Sequence, residues 1–164
     1  MCRHETCDVS VHPLTRSMAP KALEEVFGAM SQDARYMRYH AATPRLTSGL
    51  VRALADIDGT RHIAWQAKAC DRAVGLVRLV EDSDGTSELA VEVADEWSGR
   101  GIGMTLVSVA LRHARERGAK GIRILVHPDN RRAIRLFKAA GATLSFREGA
   151  LDGVISLMPA TSAA

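Results

Sequence analysis

Hydrophobic positions along the chain change period near residue 61. Before that point Leu23, Val26, Phe27 and Met30 recur at helical spacing and predict a helix over 20–30. Ser31 suits the N-cap of a second helix over 32–40, which must stop before the Thr43-Pro44 pair. A third short helix is predicted over 48–55, closed by Asp58-Gly59, and weak alternation over 8–14 predicts a short edge strand. From Arg61 the period becomes two. Segments 62–68 and 73–80 read as a hairpin joined around 69–72, and 88–94 as a further strand after the turn Ser83-Asp84-Gly85-Thr86. A glycine-rich stretch then opens an amphipathic helix to about Arg117, with Leu106, Val109, Ala110 and Ala114 on its apolar face and Gly118 just past its end. The apolar segment 122–126 fits a buried strand. Pro128-Asp129-Asn130 opens a helix over 131–140, ended by Gly141. Two last strands, 143–147 and 154–158, are expected around an Asp152-Gly153 turn.

This order, helices first and then strands alternating with helices, predicts a mixed α/β (α+β) layer architecture with helices packed on a sheet. The length of 164 residues fits one domain, 1–164, with 1–12 and 160–164 expected to be flexible. An apolar fraction of 46% supplies a core and excludes disorder along the whole chain. Aromatics are only 4%, so aliphatic side chains and alanine must fill that core. No run of about 18 apolar residues is present, so no transmembrane helix is expected. Arg3, His4, Glu5 and Asp8 interrupt any signal-peptide core. Three cysteines, an odd number, argue against a disulfide framework and for a reducing, cytoplasmic setting. Cys2, His4, Cys7 and His12 are residue types that bind zinc, but their spacing matches no finger pattern; no metal is expected. The net charge of +3 is too small to argue for nucleic acid, and Arg112, Arg115 and Arg117 read as a solvated helix face.

The main chemical signal is Gly99-x-Gly101-x-Gly103, placed after a strand and opening a helix. Successive backbone N–H groups and the positive end of a helix dipole make such a turn an anion cradle. Two phosphate motifs fail. A dinucleotide fingerprint needs its third glycine one residue later, and a P-loop needs Gly-Lys-Ser/Thr where Gly103 is followed by Met104 and Thr105.

The stretch from Val93 through Ser98-Gly99-Arg100-Gly101-Ile102-Gly103 instead resembles the pyrophosphate motif Q/R-x-x-G-x-G/A of the GNAT superfamily of acyl-CoA-dependent N-acyltransferases. His127-Pro128-Asp129-Asn130-Arg131-Arg132 through Phe137 resembles that family's second signature, an asparagine opening the helix beside the cofactor, and Gly141-Ala142 its closing pair. The resemblance covers about 61–158. Ser31 through Tyr39, Leu46, the 56–58 turn and Ile63-Ala64 are similar to the GNAT domain of bacterial protein lysine acetyltransferases. Some of those are fused to a cyclic-nucleotide-binding domain; none fits in this length, so that regulation is not expected.

The resemblance implies a mainly antiparallel sheet with helices on both faces and a splayed central pair, here 88–94 and 122–126. It implies acetyl-CoA as cosubstrate, its pantetheine arm bonded by backbone groups near Val91 and Val93. Ser98, Gly99, Arg100, Gly101, Ile102 and Gly103 would hold the pyrophosphate, and Asn130 and Phe137 would line the other side. The reaction implied is direct attack of a primary amine, from a protein lysine or a small molecule. Such an amine must first lose a proton. Glu88 is the leading candidate for base or relay and Glu92, on the same strand face, the second. His127 could approach the site, although a structural or solvated role is simpler, and Cys70 falls in a hairpin turn without an assigned role. Two departures matter: Ser98 replaces the long first motif residue, although it could cap the helix, and Phe137 stands where many members have a tyrosine acid. They leave open a catalytically weak module that binds acyl-CoA as a sensor or scaffold. Members of the family often form homodimers; no nucleic acid or membrane partner is implied.

Overall fold

The alternating segments of the chain's second half assemble into one sheet in the computed structural model, which describes residues 7–83 and 86–158. Strands β1 (Ser10–Pro13), β2 (His62–Ala69), β3 (Arg72–Glu81), β4 (Ser87–Val93), β5 (Gly121–Val126), β6 (Ala142–Arg147) and β7 (Ala150–Ser156) lie in the order β1-β2-β3-β4-β5-β7-β6. Every neighbouring pair is antiparallel except β4 and β5. The helices are α1 (Ala19–Gly28), α2 (Gln32–Tyr39), α3 (Ser48–Ala55), α4 (Ile102–Glu116) and α5 (Arg131–Ala139). They cover both faces, as a mixed α/β sheet of this kind requires.

Each face buries its own core. Leu23 and Val26 of α1 pack with Ala55 of α3 and with Ala64 and Leu76 of the sheet. On the other face Leu106, Val107 and Ala110 of α4 and Phe137 of α5 pack on Val77, Leu89, Ile122, Ile124 and Ile155. Strand β3 serves both, which is why its sequence is a near-continuous apolar run. Helix α2 contributes no buried residue. It starts at the expected Ser31 cap, whose side chain accepts a hydrogen bond from the Ala34 amide.

Three expectations are corrected. The last hairpin turns at Glu148-Gly149, both with positive φ, and Asp152-Gly153 lies inside β7. The reason is packing. A Cβ at Gly153 would come within 2.5 Å of Leu144 Cδ2 and 2.8 Å of Ile124 Cγ1, so the glycine serves a close approach between strands and not a turn. Second, Cys7 and Cys70 form a disulfide across 63 residues, with Cα atoms 5.6 Å apart, where none was expected. Cys70 and Asp71 are the two central residues of the β2–β3 hairpin, and their positive φ angles (47° and 63°) turn the tip toward Cys7. Of the four zinc-type residues near the start, Cys2 and His4 lie outside the described residues. Cys7 is committed to Cys70, and His12 Nε2 is 2.8 Å from Ser10 Oγ. Third, Ser98 does not cap α4. Its hydroxyl donates back to the Ala94 carbonyl (3.4 Å), and the cap position belongs to Gly101 in the left-handed conformation. Residues 10–13, partly within the stretch expected to be flexible, pair with β2 as an edge strand.

Candidate active site

Strands β4 and β5 pair in parallel only at Ser87–Ile122 and Glu88–Arg123. Beyond that they separate, leaving the β5-facing edge of β4 without a strand neighbour from Leu89 onward while β3 still pairs its other edge as far as Val93. The gap opens on one side into a groove of about 690 Å³. Val91 and Val93 of β4 line it, with Ser98, Gly99, Gly101 and Gly103 at one end and Asn130 at the start of α5.

The glycine end has the form of an anion cradle. Gly99 and Gly101 take φ of +78° and +82°, with open space where a Cβ would stand. The Gly101 carbonyl accepts the Thr105 amide, so the earlier amides of α4 have no intrahelical acceptor and lie at the positive end of its dipole. At Gly103 a Cβ would stand 3.3 Å from Leu136 Cδ2 and 3.8 Å from Val93 Cγ2, so a side chain here would crowd the floor of the groove. Arg131, Arg132 and Arg135 contribute positive charge to the opposite wall. Two predicted residues point elsewhere. The Arg100 guanidinium lies over the Trp97 ring (4.9 Å), and Ile102 is part of the core under α4. Asn130 caps α5 by accepting the Ala133 amide at 3.1 Å.

A second cavity of about 250 Å³ adjoins the groove and shares Met37, Arg38, Val91, Asn130 and Ala133 with it. Glu88 lines this cavity with an exposed side chain, together with His40, Leu125 and the buried Phe137. The His127 ring lies edge-on to both Tyr36 (5.3 Å) and His40 (5.8 Å). Its Nδ1 accepts the Asp129 amide at 3.2 Å, so the proton of the neutral ring sits on Nε2. His40 is itself in the left-handed conformation (φ 54°) at the end of α2. Burial, the neighbouring His127 and Arg38 all hold its pKa below the ordinary imidazole value.

The two glutamates on one face of β4 have opposite surroundings. Glu92 is buried, with Arg78 Nη1 and Arg38 Nε each 2.9 Å from its oxygens and the Tyr39 hydroxyl donating at 3.3 Å. Burial alone would raise its pKa, but the two guanidinium charges and these bonds more than offset that and keep the carboxylate ionised. Burial and the Glu92 charge push the Tyr39 phenol up to about 12, so it stays a donor. Arg38, Arg78, Tyr39 and His40 had no role on sequence grounds. Arg78 sits in an apolar strand, and the mid-strand arginine itself was the one available signal.

The same fold occurs in solved acetyltransferases. The GNAT domain of S. lividans PAT superposes with a TM-score of 0.82 at 26% identity, covering 90% of each chain. The ribosomal-protein-S18-alanine N-acetyltransferase from Escherichia coli superposes with a TM-score of 0.67, covering 96% of this chain and 99% of that one; at 16% identity the likeness is one of fold. The mycothiol acetyltransferase of Nocardiopsis dassonvillei is 39% identical over 51 residues, which are 31% of this chain and 16% of that protein, so the aligned part is about a sixth of that curated relative's length. The sequence model of the acetyltransferase (GNAT) family matches residues 26–142, and with a splayed β4–β5 pair and a glycine cradle in that span, the chain belongs to that family.

Proposed function

We propose that the protein is an N-acetyltransferase that moves an acetyl group from acetyl-CoA to a primary amine by direct attack in a ternary complex. One observation carries the reading. The opened β4–β5 pair joins a long groove with an anion cradle to a smaller cavity bearing an exposed carboxylate. Such a junction suits a thioester at the gap, a polyanionic tail in the groove and an amine in the cavity. The groove's residues fit acetyl-CoA: it combines apolar walls, free backbone groups and cationic side chains.

Acetyl-CoA supplies the activated acetyl thioester. Backbone groups at Val91 and Val93 bond its arm and direct a donor at the carbonyl oxygen, where negative charge develops. The Ser98–Gly103 turn and the first amides of α4 hold the diphosphate, aided by Arg131, Arg132 and Arg135, with Arg100 held in reserve on Trp97. Asn130 forms the far wall, and Phe137 backs it from the adjoining cavity. Glu88 handles the acceptor's proton as base or as first link of a relay. Glu92, tied to two arginines, serves better to hold α2 against β4 than to exchange protons. The acceptor is a protein lysine or a small amine; no metal, nucleic acid or membrane is needed, and a homodimer is compatible. The Cys7–Cys70 disulfide removes the cysteine argument for a reducing, cytoplasmic setting.

Release of free thiol from acetyl-CoA, assayed with lysine peptides, N-terminal alanine peptides and polyamines, tests the proposal. Glu88→Gln should lower kcat by about 10²-fold or more, the range of a lost proton-transfer group, while leaving the affinity for CoA unchanged. Unchanged turnover removes Glu88 from the mechanism. The lack of a hydroxyl at Phe137 favours a second reading, a binding module for acyl-CoA. Tight CoA binding without transfer to any of these acceptors would establish it.

A further inference from the structure

His40 stands out on three independent grounds. It is a non-glycine residue held at φ 54° as the C-cap of α2, where glycine would satisfy the same geometry without a Cβ penalty. Backbone strain of this kind persists where the surroundings enforce it and often marks a functional position. Its half-buried side chain lines the small cavity that also bears the exposed Glu88 and adjoins the β4–β5 gap. Its ring meets that of His127 edge-on at 5.8 Å, and His127 in turn meets the exposed Tyr36, so the His40 ring is held in place at the mouth of the cavity.

We infer that His40 is a catalytic residue of the amine cavity, the second link of the proton path that Glu88 opens: it takes the acceptor's proton onward from Glu88 and gives it to water at the cavity mouth. The inference rests on the acetyl-transfer reading above and deepens it. In the step, one N–H bond of the ammonium breaks and its proton moves, with Glu88 as the first link, to the free ring nitrogen of His40. The neutral amine then forms the C–N bond as the C–S bond breaks, and sulfur leaves with the electron pair. The nitrogen's next proton balances the departing thiolate. The sum is amide, thiol and one proton, and that proton leaves from His40. Glu88 across the cavity attracts the ammonium by charge and is the first link by which its proton reaches the ring.

The charged and titratable groups around His40 favour a neutral ring that is ready to accept. Arg38 precedes it on α2, with Tyr36 and Tyr39 on the same helix. His127 and its neighbour Asp129 follow β5, and Glu88 faces the cavity from β4. Burial, His127 and Arg38 lower the His40 pKa, so the ring is free of its proton at neutral pH, whereas a lysine-type amine is not. At neutral pH the ring therefore offers a free lone pair, the state in which it can accept a proton.

His40→Gly is the informative variant, because glycine adopts the left-handed cap without strain and the fold should keep or raise its Tm. With acetyl-CoA and a lysine peptide, kcat/KM should fall about 10²-fold or more. The acid limb of the wild-type pH profile should disappear, and added imidazole should restore at least a tenth of the lost rate. A folded His40→Gly protein that acts within threefold of wild type overturns the inference. So does a variant that keeps the acid limb or ignores imidazole. Histidine NMR titration of the free protein supplies a readout independent of turnover. His40 should titrate below the ordinary imidazole value of about 6.5, and His127→Gln should move it upward. An ordinary titration unmoved by that change overturns the placement of His40. If the wild-type protein transfers acetyl to no acceptor while His40 titrates as described, the acetyl-transfer reading fails and the catalytic role falls with it.

Discussion

Glu88 and Glu92 stand four residues apart on one face of β4, and their neighbours decide what each can do. Water reaches Glu88, which leaves it free to meet a ligand. Glu92 has side-chain exposure of only 2% and its partner Arg78 3%, so neither charge can be left alone. Removing one partner of such a buried pair costs about 3–5 kcal/mol, because the other stays desolvated without compensation. Glu92→Gln should therefore lower Tm by about 6–20 °C, at 2–4 °C per kcal/mol for a chain of this size. A scanning-calorimetry shift below 2 °C would show that Arg78 finds other solvation. The pH dependence has a definite sign. The native pKa of Glu92 is depressed, so its contribution is present above the ordinary carboxyl range near 4.3 and is lost as pH falls through the native value.

Among the elements, α2 depends most on tertiary anchors. It buries no residue of its own; Arg35 donates to the Phe27 carbonyl at 2.8 and 3.1 Å, while Arg38 and Tyr39 reach Glu92. An amphipathic helix held by polar side chains can present its cavity-facing residues without a hydrophobic seam. At the opposite edge the Cys7–Cys70 disulfide fastens the segment before β1 to the β2–β3 tip, whose strand continues to Gly75 against Ile102 and Leu106 of α4. Closing a loop of this length stabilises by about 4 kcal/mol in the chain-entropy account. Reduction, or Cys70→Ser, should then lower Tm by roughly 10 °C, read by thermal melts with and without reductant. Equal melts would show that the bridge does not constrain the unfolded chain.

At the scale of the whole molecule, the net charge of +3 says little, and the placement of the arginines says more. Arg131, Arg132 and Arg135 gather on one wall of the groove, opposite the positive end of α4. A polyanionic ligand bound there should release counterions and bind more weakly in salt. Replacing Arg131 and Arg135 by alanine should raise the KM for acetyl-CoA about tenfold or more, since one charge-assisted contact is worth about 1.5–3 kcal/mol, and should flatten its salt dependence. The same change at Arg115 and Arg117, exposed on the far end of α4, should leave KM within twofold. Equal effects from the two pairs would reduce the argument to a general field.

Much of this was legible in one dimension. Period-two and period-3.6 patterning located the elements, because side-chain direction alternates in strands and recurs every turn in helices. Gly99, Gly101, Asn130 and the two glutamates were visible because each has few local uses. What lay beyond the sequence depends on distance across the fold. Gly153 looks like a turn residue until Leu144 and Ile124 are placed against it. Cys7 and Cys70 are 63 residues apart and meet only because β1, β2 and β3 stack in register. The different fates of Glu88 and Glu92 arise from α2, which brings Arg38 and Tyr39 over one and leaves the other open. Local chemistry named the candidates, and the packing that only the fold creates buried Glu92 among two guanidinium groups and left Glu88 open to water.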